Sequence, residues 1–150
     1  MHNLRDAAPA IALTVGTLAV GALRHDGYTT HTGFDMVEAV GLGTLSSLAI
    51  KMAAGRVRPD ATPDRAQWGR GGDSFPSGHV TAAFAAAEVF AQSRPEHEWG
   101  WRALAYSLAA ATAYGRMQSN MHWSSDIVAG AALGIATGRF VAGRESSIAP

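Results

Sequence analysis

The chain contains no cysteine, which excludes disulfides and thiol chemistry but leaves the compartment open. Its 12 basic and 12 acidic residues cancel to a formal net charge of +0. No long basic run occurs, so a nucleic-acid partner is excluded. No segment alternates apolar and polar residues in the manner of a strand. Long charge-free runs are scarce too. The longest, Ala7 to Leu23, is at the short limit for a spanning helix. Ala39–Ile50, Ala103–Gly115 and Ile127–Gly138 are shorter, and Glu38, Glu88 and Arg139 interrupt the segments around them. Mean hydropathy is +0.03, ordinary for a soluble protein. These numbers alone do not decide whether the helices cross a bilayer. Arg5, the apolar run and Val20-Gly21-Ala22 also read as a signal peptide with its cleavage site. Asp6 and Pro9 count against that, and a helix of the domain is preferred.

What the sequence has in quantity is alanine and glycine, the latter 17 times, which points to closely packed helices. The 150 residues make one domain with a single core. An all-α bundle of about five helices is predicted from the Ala-, Leu- and Met-rich segments. The first covers about 7–24, with Asp6 as N-cap, Pro9 in its first turn and a break at Gly27. The second covers about 33–54, capped by Thr32 and stopped by Gly55. A polar loop of about 59–76 follows. The third helix opens at Ser77 and ends near Ser93, before Pro95. The fourth covers about 97–114 with Gly115 as its stop, and a loop of about 116–121 leads to the fifth, at about 122–142. Gly130, Gly134 and Gly138 form a smooth ridge along the fifth helix, against which another backbone can pack.

Three short blocks carry the chemistry. They are Lys51-x6-Arg58-Pro59, then Pro76-Ser77-Gly78-His79, then Arg116-x5-His122-x3-Asp126. Together they supply three permanent cations, two imidazoles, a carboxylate and a Ser-Gly turn opening a helix. A tetrahedral oxyanion needs this inventory. Ser77 is a favoured N-cap, and Val80 stands where a capping box would place an acid. The first-turn N–H groups are therefore predicted to face an anion, with Gly78 allowing close approach. An ordinary Ser-capped helix is the plainer alternative for this block alone. His122 and Asp126 are four apart and share a face if helical. A neighbouring carboxylate would fix the imidazole tautomer, making His122 the better nucleophile. A surface ion pair or a metal site are the other readings of that pair, and three nearby cations would repel a metal. Lys51, Arg58 and Arg116 are predicted to hold the non-bridging oxygens. Lys51 and Arg58 would also complement the C-terminus of the second helix.

The blocks resemble the type 2 phosphatidic acid phosphatase (PAP2) family, whose site is shared with vanadium haloperoxidases and bacterial class A acid phosphatases. The match runs from Lys51 to Asp126, about half the chain, with Gly115 in place of the family's serine. The resemblance implies attack by His122 on phosphorus to form a phosphohistidine. It implies that His79 protonates the leaving oxygen and then activates water. It also implies no metal cofactor, inhibition by vanadate, a lipid phosphate as substrate, and a membrane-associated place in a bacterial-type cell envelope with the site facing the periplasm. Family members often carry further helices upstream, so the chain is expected to be short at its N-terminus.

The nearest alternative is a soluble periplasmic acid phosphatase. A vanadate-dependent haloperoxidase, with vanadate as cofactor, is opposed by the greater length of those enzymes. A non-catalytic oxyanion-binding protein would not need the His79, His122 and Asp126 set. A serine hydrolase is opposed by the lack of a G-x-S-x-G elbow. Trp68, Phe75, Met117, Asn120, Met121 and Trp123 flank the blocks and are expected either to line a substrate mouth or simply to pack. His2, His25, His31 and His97 read as surface residues. Oligomeric state and leaving group are not readable.

Overall fold

Five helices occur among the described residues, and their ends follow from local chemistry. The computed structural model describes the backbone of residues 3–94 and 97–146. The helices are α1 (Asn3–Arg24), α2 (Gly27–Ala54), α3 (Gly78–Gln92), α4 (Trp99–Gln118) and α5 (Ser124–Ser146). No strand occurs among the described residues. The all-α expectation is met, and the boundaries shift in four places.

α1 starts upstream of the predicted cap, so Asp6 lies within it and Pro9 is internal. The side chain of Asp6, like His2 and Pro95, lies outside the described residues. α2 starts six residues early. The Asp26 carboxylate accepts from the N–H groups of Tyr28 at 3.1 Å and Thr29 at 3.4 Å, so Asp26 is the N-cap. Thr32 is buried in the helix, its hydroxyl donating to the Tyr28 carbonyl. Gly27 is thus the first helical residue, and the break falls at His25, whose φ is 51°. α4 runs through Gly115, which places Arg116 in its last turn. α5 begins only at Ser124, leaving His122 in the turn before it. The stop at Gly55 is as expected: φ is 53° and its N–H bonds the Lys51 carbonyl at 2.9 Å.

α3 is the central element and touches all four others. Its small residues permit this. Ala83, Ala85, Ala86 and Ala87 are buried, as are Val80 and Val89. α5 offers its glycine ridge to α3. A Cβ on Gly130 would lie 2.7 Å from the Ser77 carbonyl oxygen, and one on Gly138 would lie 2.6 Å from the Glu88 Cβ. The ridge therefore seats α3 backbone against α5 backbone, as expected of that spacing. The seating joins the N-terminus of α3 to that of α5, where the Ser77 N–H bonds the Asp126 carbonyl at 3.0 Å.

Much of the buried core is alanine, and many large apolar side chains face outward. Ala85 is 0% exposed, whereas Leu45 is 68% and Met52 is 75% exposed. Phe34, Trp99, Val128 and Phe140 also point outward.

Candidate active site

The helix pairing brings the C-termini of α2 and α4 together with the N-termini of α3 and α5. All three sequence blocks therefore meet at one end of the bundle. The 55–77 connection folds over that end. Val57 N–H bonds the Gln67 carbonyl at 3.0 Å and Ser74 N–H bonds the Arg56 carbonyl at 2.9 Å. Gly72 allows the crossing, because any Cβ there would collide with the Arg56 carbonyl. The Phe75–Pro76 peptide is cis.

Lys51 lies in the last turn of α2. Its Nζ donates to the carbonyls of Asp73 and Pro76, both at 2.6 Å, which uses two of its three N–H bonds. Arg58 donates from Nη2 to the Asp73 carboxylate at 2.7 Å and from Nη1 to the Met121 sulfur at 3.2 Å. Arg116 is 1% exposed, and its charge acts on both Lys51 and His122. Ser77 caps α3 without a side-chain capping bond, and its buried hydroxyl has no hydrogen-bond partner in the protein. An α-helix leaves its first N–H groups without intrahelical acceptors. Here these belong to the first turn of α3, which opens at Gly78.

His122 is buried in the turn before α5. Its Nδ1 lies 2.7 Å from the Ser74 carbonyl oxygen. A carbonyl only accepts, so Nδ1 carries the proton and the neutral ring keeps its lone pair on Nε2. Asp126 lies beside this imidazole, as expected, but the Ser74 carbonyl is the closer partner of Nδ1. The nearest carboxylate oxygen is 3.8 Å from Nδ1, beyond a hydrogen bond. The reason is occupancy. Asp126 Oδ1 pairs with the Arg56 guanidinium. Oδ2 accepts from the Ser74 hydroxyl at 2.5 Å and the Trp123 N–H at 2.9 Å. Burial holds the His122 imidazole below its ordinary pKa. The Lys51 and Arg116 charges push the same way, while Asp126 and the Ser74 carbonyl oppose them.

A cavity of about 500 Å³ opens onto these groups. Lys51, Arg58, Gly78, His79 and His122 form its polar end, and Ile11, Val15, Val37 and Val40 of α1 and α2 form its apolar wall. Residues 32–144 match the family model described as the PAP2 superfamily. The chain belongs to that family. Among related sequences, a lipid A 1-phosphatase of Porphyromonas gingivalis strain ATCC 33277 is 29% identical over 140 residues. The match covers 91% of this chain but 30% of that relative's length. The crystal structure of Aquifex aeolicus LpxE superposes with a TM-score of 0.63 at 22% identity, covering 94% of this chain and 87% of that one. It shares the fold.

As a PAP2 member the chain departs from the motif at Gly115. That position is exposed, and a side chain there would meet nothing within 4 Å. The flanking aromatic and methionine residues do not line the cavity. Trp68 and Trp123 bracket the Arg56 guanidinium at 4.4 and 5.6 Å, and Phe75 packs edge-on against Trp68 at 5.1 Å. His25, His31 and His97 are exposed, as expected. Sequence reasoning missed Arg56, Asp73 and Ser74. Asp73 and Ser74 carry no spacing signal in a polar loop. Arg56 had a faint one: it stands two residues before Arg58 with no acid beside it.

Proposed function

We propose that the protein is a metal-independent phosphatase that hydrolyses a lipid phosphomonoester or pyrophosphate through a phosphohistidine on His122. The cavity carries this reading, because one space joins Lys51, Arg58, the two imidazoles and an apolar wall. The polar end fits a phosphoryl group, and the α1–α2 wall fits the hydrocarbon attached to it. The Porphyromonas gingivalis relative, a lipid A 1-phosphatase, supports a lipid phosphate as the substrate class.

In this mechanism His122 Nε2 attacks phosphorus in line with the leaving oxygen. The N–P bond forms as the P–O ester bond breaks. His79 gives a proton to the departing oxygen. Water then attacks phosphorus, His79 takes its proton, and the N–P bond breaks to release inorganic phosphate. Negative charge on the non-bridging oxygens is met by Lys51, Arg58, Arg116 and the first-turn N–H groups of α3, which opens at Gly78. Asp126 acts from behind His122. Fixed cations do the work that a metal would otherwise do, and vanadate is expected to inhibit as a transition-state mimic.

The apolar exterior supports a membrane setting. α2 and the Ser124–Arg144 part of α5 have the length and composition of membrane spans. At about 1.5 Å per residue α2 exceeds a hydrocarbon core of about 30 Å. The family resemblance supports a place in the cell envelope with the site end toward the periplasm.

Phosphate release from a panel of lipid and soluble phosphates, with and without detergent, tests the reading. Turnover of lipid phosphates that outpaces that of soluble esters is expected. Turnover of water-soluble esters alone would replace the lipid phosphatase with a soluble acid phosphatase.

A further inference from the structure

Among the described residues, Arg56 is the one buried cation at this end of the fold to which the mechanism gives no task. It is 5% exposed. Its Nη1 donates to the Ser125 hydroxyl at 2.7 Å and to Asp126, and its Nη2 donates to the Arg65 carbonyl at 2.9 Å. The Trp68 and Trp123 rings hold its plane from two sides. Trp123 is itself fixed by its indole N–H, 3.0 Å from the Val57 carbonyl. Arg56 does not line the cavity, and its guanidinium donates to protein groups instead.

We infer that Arg56 is a positioning residue for His122: by holding the Asp126 carboxylate on its guanidinium, it leaves the Ser74 carbonyl as the group that orients the imidazole. The geometry gives the chain of cause. Asp126 is 0% exposed, and a buried carboxylate must have a counter-charge. With Arg56 present, its two oxygens are held by Arg56, Ser74 and Trp123. With Arg56 removed, the nearest group able to become a counter-charge is the His122 ring, 3.8 Å away. The imidazole would then turn toward the carboxylate and hold a proton more tightly. It would lose both its alignment and its free lone pair. Arg56 also ties the 55–74 loop, which supplies the Ser74 carbonyl, to the start of α5. The remaining charged groups facing His122 are Lys51 of α2, Arg116 of α4, and Arg58 and His79 across the cavity.

The inference rests on the proposed role of His122, and its test is chosen to stand apart from turnover. In the wild-type protein, nitrogen–carbon coupling across the His122 Nδ1–H hydrogen bond identifies the acceptor. Coupling to the Ser74 carbonyl carbon is expected, and coupling to the Asp126 carboxylate carbon would overturn the inference. In Arg56→Gln, the NMR titration midpoint of His122 should rise by about one unit. Its kcat should fall about 10–100-fold, as for outer partners of liganding histidines, with KM little changed. Arg56→Lys keeps the charge and should hold the midpoint near the wild-type value. An unchanged midpoint in folded Arg56→Gln, or a raised KM with unchanged kcat, would overturn the inference. If Arg56→Gln fails to fold, the wild-type coupling still decides. If lipid phosphates prove not to be substrates, both NMR readouts remain.

Discussion

A histidine nucleophile must be neutral, aligned and close to cations, and His122 meets each demand with a different neighbour. Burial and the charges of Lys51 and Arg116 disfavour the imidazolium. The Ser74 carbonyl fixes which nitrogen is protonated. The sign for pH follows: with its pKa depressed, His122 stays neutral further into the acid range than an exposed histidine. Its NMR titration midpoint is expected below the ordinary value of about 6.5, and a midpoint above it would show that the carboxylate dominates after all. In the proposed mechanism His79 has the complementary task. His79→Ala should cost about 10²–10⁴-fold with an alkyl leaving group and far less with a nitrophenolate, which departs without a proton. Equal losses on both substrates would reduce His79 to a phosphate ligand.

The glycine ridge of α5 decides how α3 sits, and α3 carries Ser77, Gly78 and His79 to the site. A Cβ on Gly134 would press on the backbone of α3 between Thr81 and Ala85. Gly134→Val should therefore destabilise by about 1–3 kcal/mol or more, while Gly115→Ala, facing open space in a helix, should stabilise by about 0.5–1 kcal/mol. Thermal melts of the two variants check both signs. This ridge was readable because a four-residue glycine period has few other uses in a helix. The three motif blocks were readable because cations, imidazoles and a Ser-Gly turn rarely recur in that order. Helix ends were less so. Gly27 looks like a breaker, yet the Asp26 carboxylate reaches the N–H groups beyond it and starts α2 there. Gly115 looks like a stop, yet α4 continues to Gln118. The partner of Asp126 was hidden for another reason. The ion pair joins positions 70 residues apart, and local spacing instead pointed to His122.

Taken whole, the molecule buries much alanine and turns many Leu, Val, Phe and Trp side chains outward. Such a surface suits the proposed membrane setting, where hydrocarbon meets it. Fractionated cells should yield the protein in the membrane pellet, released by detergent. Recovery wholly in the soluble fraction would mean that another protein surface covers those side chains. The cavity opens between the cations at one end of the bundle and the apolar faces of α1 and α2, so a lipid could present its phosphate to the site while its tail stays among apolar groups. Every step of that account passes through one covalent species. The most direct measurement is to trap the phosphoenzyme from a radiolabelled lipid phosphate and map the labelled residue. The account predicts label on His122, labile in acid and stable in base, and neither label nor turnover in a folded His122→Ala variant. Label on a serine, or near-normal turnover in that variant, would contradict it.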